Sequence, residues 1–108
     1  MKLPTEVFGE VVVVHTPEEL SDEHIPQLAK LLTSLDRSNV IVDLDGTETM
    51  DSSGLSMLLD AQDLLREVGG DLRIATGNAV NRKILEISRI NQRLDVFETV
   101  IDAVKSFA

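Results

Sequence analysis

Apolar positions along the chain fall into short unbroken runs separated by longer stretches at helical spacing. Leu3 to His15 reads as extended chain. Within it, Val11-Val12-Val13-Val14 is a β-branched run with Gly9 before it and Pro17 after it. A run apolar at every position predicts burial on both faces, as in a central strand. A break at Phe8-Gly9-Glu10 would turn the segment into a two-stranded hairpin. Asn39 to Asp45 is a second such strand and Asp71 to Thr76 a third. Leu94 to Thr99 supports a short strand at most.

Between these runs the apolar positions recur at the helical period of 3.6. Thr16-Pro17-Glu18-Glu19 has the order of a cap, a proline at a first helical position and an acid three residues past the cap. Pro26 fits only the first turn of a helix. The pattern therefore predicts a short turn over Pro17 to Leu20, then a helix starting near Asp22 to His24. Its inward positions are Ile25, Leu28, Leu31 or Leu32, and Leu35. After a loop over Gly46 to Thr49, a second helix begins at Ser52 or Ser53 and ends at Val68. It carries two adjacent ridges: Leu55, Leu58, Leu59, Gln62 and Leu65 or Arg66 on one, Met57, Ala61, Leu64 and Val68 on the other. Gly69-Gly70 stops it. Asn78 to Ser88 predicts a third helix with Val80, Ile84 and Ile87 on one face. Thr99 caps a last one, with Val100 or Ile101, Val104 and Phe107 inward. Strands alternating with helices imply parallel neighbours joined by crossovers, and hence one small α/β domain over residues 1–108.

Composition narrows the function classes. The 108 residues suffice for one core. Aromatic residues are only 3% of the chain, so Leu, Ile and Val must build that core. The absence of cysteine excludes disulfides and thiolate metal sites. A net charge of −9 with scattered acids lacks the basic face that phosphate contacts require, which argues against direct nucleic-acid binding. No apolar run approaches the roughly 20 residues of a membrane span. The first ten residues have no signal-peptide core, so a cytoplasmic location is expected.

The segment Met50-Asp51-Ser52-Ser53-Gly54 lies on the rim where strands end and helices begin, the usual functional edge of such sheets. A catalytic serine needs a base and an orienting acid. His15, at a strand end, and His24, in a first helical turn, sit in no such motif. The segment also lacks the spacing of a nucleophile elbow or a phosphate loop. Asp43, Asp45 and Asp51 offer oxygens to a hard cation, but they read more simply as strand-end and loop acids. No cofactor or metal is implied. Asp and Ser are favoured caps, worth about 1 kcal/mol. A serine at a helix start also tolerates a phosphate, which the helix dipole favours by about 0.3–1 kcal/mol. At an interface the same dianion is costly. Such a site preserves the fold while abolishing a contact.

The run from Val40 to Phe97, centred on Met50-Asp51-Ser52-Ser53-Gly54-Leu55, resembles the STAS domains of anti-sigma-factor antagonists. The Gly69-Gly70 stop and the Asn78…Arg82-Lys83-Ile84-Leu85-Glu86-Ile87-Ser88 helix carry the likeness further. The resemblance implies a mixed, mostly parallel sheet of four to five strands with about four helices packed mainly on one face. It implies that Ser52 is the phosphoacceptor, and that Asp51, Ser52, Ser53, Gly54, Ser21 and Thr49 form the partner-binding surface. The implied partners are an anti-sigma factor Ser/Thr kinase of the histidine-kinase-like ATPase fold and a Ser/Thr phosphatase, the chain itself being a monomer or weak dimer and not an enzyme. Where the family often has Gly-Glu-Leu-Asp, this chain has Glu18-Glu19-Leu20-Ser21. Arg89 stands where glycine is common, and Ala79 where proline is. The alternatives are a non-switching scaffold of the stressosome or lipid-transport kind, and a nucleotide-binding module.

Overall fold

The computed structural model describes residues 3–20, 25–34 and 38–108. Five strands make one sheet: β1 (Thr5–Phe8), β2 (Val11–His15), β4 (Asn39–Asp43), β6 (Asp71–Ala75) and β7 (Val96–Phe97). Their spatial order is β1-β2-β4-β6-β7, antiparallel between β1 and β2 and parallel elsewhere. The expected break at Gly9 is present: Gly9 takes a φ of +62° and turns the chain into a hairpin. Two further strands, β3 (Glu19–Leu20) and β5 (Thr49–Met50), pair parallel with each other outside the main sheet.

The three central strands are covered on both faces, as their unbroken apolar runs required. Val12, Val14, Val40, Val42, Leu72 and Ile74 point into the larger cluster. Helices α1 (Ile25–Ser34), α2 (Ser52–Glu67) and α3 (Ala79–Ile87) supply Leu28, Leu32, Met57, Leu58, Ala61, Leu65 and Leu85 to that cluster. Val11, Val13, Ile41 and Ala75 face the other way, against α4 (Val100–Lys105). Its Ala103 is fully buried, and Val100, Val104 and Phe107 pack around it. The Arg73 guanidinium lies 3.9 Å from the Phe107 ring centroid and donates to Ser106 Oγ at 2.7 Å, latching the C-terminus to the sheet.

Helix α2 ends as its glycines predicted. Gly69 adopts φ +85°, its N–H donates to Arg66 O at 3.1 Å, and Gly70 N–H donates to Leu65 O at 2.9 Å. These are the two bonds of a Schellman ending. Gln62, placed inward by the ridge pattern, is buried and donates to Asp71 Oδ1 and to Arg93 O. Arg89 takes φ +62°, the left-handed conformation that a glycine would adopt without strain.

Pro17 to Leu20 is not a lone turn: Glu19 and Leu20 are extended and paired with Thr49 and Met50, so the predicted loop over Gly46 to Thr49 ends in a strand residue, Thr49. The fully buried Leu20 holds this pairing, so tertiary contact overrides the capping pattern. Strand β4 stops at Asp43, two residues early, because Asp45 N–H turns back to Asp43 Oδ1. On α2, Leu64 and Val68 are exposed, so the second ridge is buried only along its first half. On α3 the inward stripe is Asn81 and Leu85, while Val80 and Ile87 face outward at 62% and 71% exposure. Ile101 likewise faces outward, which leaves Val100 as the inward member of its pair. The predicted start of the first helix, Asp22 to His24, and its Leu35 lie outside the described residues.

Candidate functional site

The C-terminal ends of β2, β4 and β6 feed three connections that form one rim. Side-chain hydrogen bonds tie them together. Thr16 Oγ1 donates to Asp43 O at 3.1 Å and contacts the hydroxyl of Thr47. Thr47, fully buried, bonds to Pro17 O at 2.6 Å. Asp45 Oδ1 accepts from Gly77 N at 2.7 Å. Asn81 Nδ2, reaching out of α3, donates to Leu44 O at 2.9 Å and to Thr47 O at 2.8 Å.

The paired β3 and β5 form a ledge on this rim. Glu48 N and Thr49 N both donate to Glu18 O, at 2.7 and 3.2 Å, and Asp51 N donates to Leu20 O at 3.3 Å. The ledge runs directly into α2. Asp51 is the N-cap: its backbone is extended and its Oδ1 accepts from Gly54 N at 3.0 Å. Ser52 is therefore the first helical residue and not the cap. Its side chain is free of capping duty, and the residue is exposed. Ser53 is half-buried and Gly54 is buried. A Cβ on Gly54 would lie 2.8 Å from Leu20 O and 3.0 Å from Leu20 Cγ, so only glycine lets the ledge pack this closely on the helix. Asp51, Ser52, Ser53, Gly54 and Thr49 are thus brought together, with Glu19 and Leu20 beside them. Ser21 lies outside the described residues.

The first turn of α2 presents backbone N–H groups with no intrahelical acceptor, the positive end of the helix dipole. Around it the exposed side chains of Glu18, Glu19, Glu48 and Asp51 are acidic. A phosphate on Ser52 would meet a favourable dipole and an unfavourable acidic surround. Of the residues that shape this rim, Thr16 reads in the sequence only as a candidate cap, and Thr47 and Asn81 stand out in no pattern. Buried threonines and asparagines carry no periodic signal. The one available clue was the spacing of Asn81 four residues before Leu85, which places both on one helix face.

His15, at the end of β2, sits between two carboxylates. Nδ1 lies 2.7 Å from Asp43 Oδ2 and Nε2 lies 2.6 Å from Glu6 Oε1. Both ring nitrogens face carboxylate oxygens, an arrangement that favours the protonated ring. Burial by itself lowers the His15 pKa, but the hydrogen bonds and negative charge of Glu6 and Asp43 outweigh it and raise it above 6.5. The stability this gives is fully present below pH 6.5 and is lost as pH rises through the folded-state value. Glu6→Gln is expected to lower the His15 pKa and flatten that loss, as read by NMR titration of the ring and by urea midpoints on either side of neutrality. Asp43 and Asp45 are engaged with His15, Asp45 N and Gly77 N, and Asp51 with Gly54 N. Among the described residues no group of three or more His or acidic side chains is arranged to hold a metal ion. Nor is any helix among them long and apolar enough to cross a membrane.

A model of the STAS domain family matches residues 2–103. No curated protein matches the chain. Among solved structures, an anti-sigma factor antagonist from Mycobacterium paratuberculosis aligns with 97% of this chain and 92% of its own, at 18% identity and a TM-score of 0.86. The Bacillus cell fate determinant SpoIIAA in its phosphorylated form aligns with 99% of this chain and 100% of its own, at 20% identity and a TM-score of 0.74. A sulfate transporter family protein from Wolinella succinogenes aligns with 94% of this chain and 87% of its own, at 16% identity and a TM-score of 0.77. At such identities the likeness is one of fold. With a mixed five-stranded sheet and four helices among the described residues, and a family match along nearly its whole length, the chain belongs to the STAS domain family.

Proposed function

We propose that this chain is an anti-sigma-factor antagonist whose binding is switched at Ser52. Unphosphorylated, it captures an anti-sigma factor kinase of the histidine-kinase-like ATPase fold and so frees a sigma factor. Phosphorylation of Ser52 ends the contact, and a Ser/Thr phosphatase restores it. The chain acts by binding, and Ser52 is a substrate for the kinase and not a catalytic group.

One observation carries this reading. Ser52 is an exposed hydroxyl at the first position of α2, with the capping role taken by Asp51. A modification there leaves the cap bond to Gly54 N in place. The fold is preserved, while the surface gains a charge of about −1.5 to −2. The packing of Gly54 on Leu20 and the β3–β5 pairing support the same conclusion, because they hold Ser52, Thr49 and Glu19 in one rigid surface. A partner contacting this surface must desolvate Ser52 and Asp51 together, so a phosphate added beside Asp51 weakens docking.

Incubation with ATP and the cognate anti-sigma kinase, followed by peptide mass spectrometry, tests the assignment. One phosphate on Ser52, lost in Ser52→Ala and retained in Ser53→Ala, is expected. Phosphate on Ser53 in place of Ser52 would contradict the assignment. A chain that takes up no phosphate in the assay or in its native cells would favour a non-switching scaffold.

A further inference from the structure

Asn81 is fully buried on the inward face of α3, at a position where an apolar residue would complete the stripe with Leu85. Its side-chain nitrogen is 2.9 Å from Leu44 O and 2.8 Å from Thr47 O. Both neighbours are carbonyl oxygens, so only the amide nitrogen can face them, and it donates to both. Its own Oδ1 meets no donor among the described residues. The two bonds of the amide nitrogen act locally. They pin both ends of the four-residue connection Leu44–Thr47 to α3.

That connection leads straight into the ledge. Thr47 also bonds to Pro17 O, and the next two residues donate to Glu18 O. Asp51, two residues beyond Thr49, takes the cap of α2 and sets the direction in which Ser52 points. From this chain of contacts we infer that Asn81 is a positioning residue: it fixes the ledge, and through the ledge the presentation of Ser52 to its kinase. This rests on the phospho-switch reading of Ser52. It goes beyond that reading in assigning the rigidity of the site to a residue on a different helix.

Residue-resolved amide exchange separates this role from a general contribution to the core. In Asn81→Val the amides of Glu48, Thr49 and Asp51 are expected to exchange at least about tenfold faster, while those of Val40, Ile41, Leu72 and Ile74 keep their wild-type rates. A uniform acceleration across all these amides, or none at the ledge, overturns the proposal. Should Asn81→Val fail to fold, the wild-type protein answers instead. The Asn81 side-chain amide protons are then expected to be strongly protected, and exchange at the free-amide rate overturns the proposal. With the cognate kinase, Asn81→Val is expected to show a raised KM for phosphorylation of Ser52 and an unchanged kcat; an unchanged KM overturns the link to Ser52. If wild type itself is not phosphorylated, the Ser52 reading fails, whereas the exchange rates still decide whether Asn81 fixes the ledge.

Discussion

Alanine at position 70 is expected to destabilise the fold by about 3 kcal/mol or more, at the upper end of what overpacking costs. The added Cβ would lie 2.0 Å from Ser38 O and 2.5 Å from Ser38 C, both backbone atoms. No rotamer change can relieve such an overlap. The chain at Ser38 cannot withdraw freely either, because Asp71 N–H donates to Ser38 O at 3.1 Å and the residues that follow are β4 and β6, paired in the middle of the sheet. Relief requires the two central strands to separate at their entry. For a domain of this size the midpoint of thermal unfolding should fall by roughly 12–20 °C. Gly69→Ala is the natural comparison. Nothing lies within 4 Å of its would-be Cβ, and only its φ of +85° is unfavourable, so a cost of about 1–2 kcal/mol is expected. Calorimetry of the two variants checks the ranking. A Gly70→Ala protein as stable as Gly69→Ala would contradict the close approach of α2's end to Ser38.

Phosphorylation of Ser52 is expected to weaken binding of the anti-sigma kinase about a hundredfold, equivalent to about 3 kcal/mol. The fold itself should be little changed. The phosphate sits at the positive end of α2, worth about 0.3–1 kcal/mol in its favour, and the Asp51–Gly54 cap remains. At the interface the balance reverses. A dianion must lose its water, Asp51 stands next to it in the chain, and the ledge leading into α2 carries the exposed acids Glu18, Glu19 and Glu48. Near-equal stability with unequal binding distinguishes a switch from damage. A phosphorylated protein whose unfolding midpoint drops steeply would instead mean that Ser52 is part of the structural cap.

Much of this architecture is written in local pattern. The valine run of β2, the apolar runs of β4 and β6, the glycine pair after α2 and the capping aspartate each carry a signal within a few residues. The ledge does not. Strands β3 and β5 are two residues each, too short for a period of 2 to be read, and their pairing joins segments about thirty residues apart. The orientation of α3 was also hidden. Val80, Ile84 and Ile87 make the more hydrophobic stripe, yet the helix turns Asn81 inward because the Leu44–Thr47 connection offers two carbonyls to its amide. The assignment of Ser52 over Ser53 came from family resemblance. In the structure Ser52 is exposed and Ser53 half-buried. The Glu18–Ser21 segment, where the chain departs from the family pattern, pairs directly with Thr49–Met50 as far as it is described. Of its two altered positions, Glu18 lies on the ledge, its carbonyl accepting from Glu48 N and Thr49 N, and Ser21 lies outside the described residues.

In the proposed switch, one modification at Ser52 weakens one contact. Isothermal titration of the cognate anti-sigma kinase with Ser52-phosphorylated and unphosphorylated protein, at equal fold stability, tests it most directly. The expected result is tight binding of the unphosphorylated form and affinity about a hundredfold weaker after phosphorylation. Equal affinity for the two forms would contradict it.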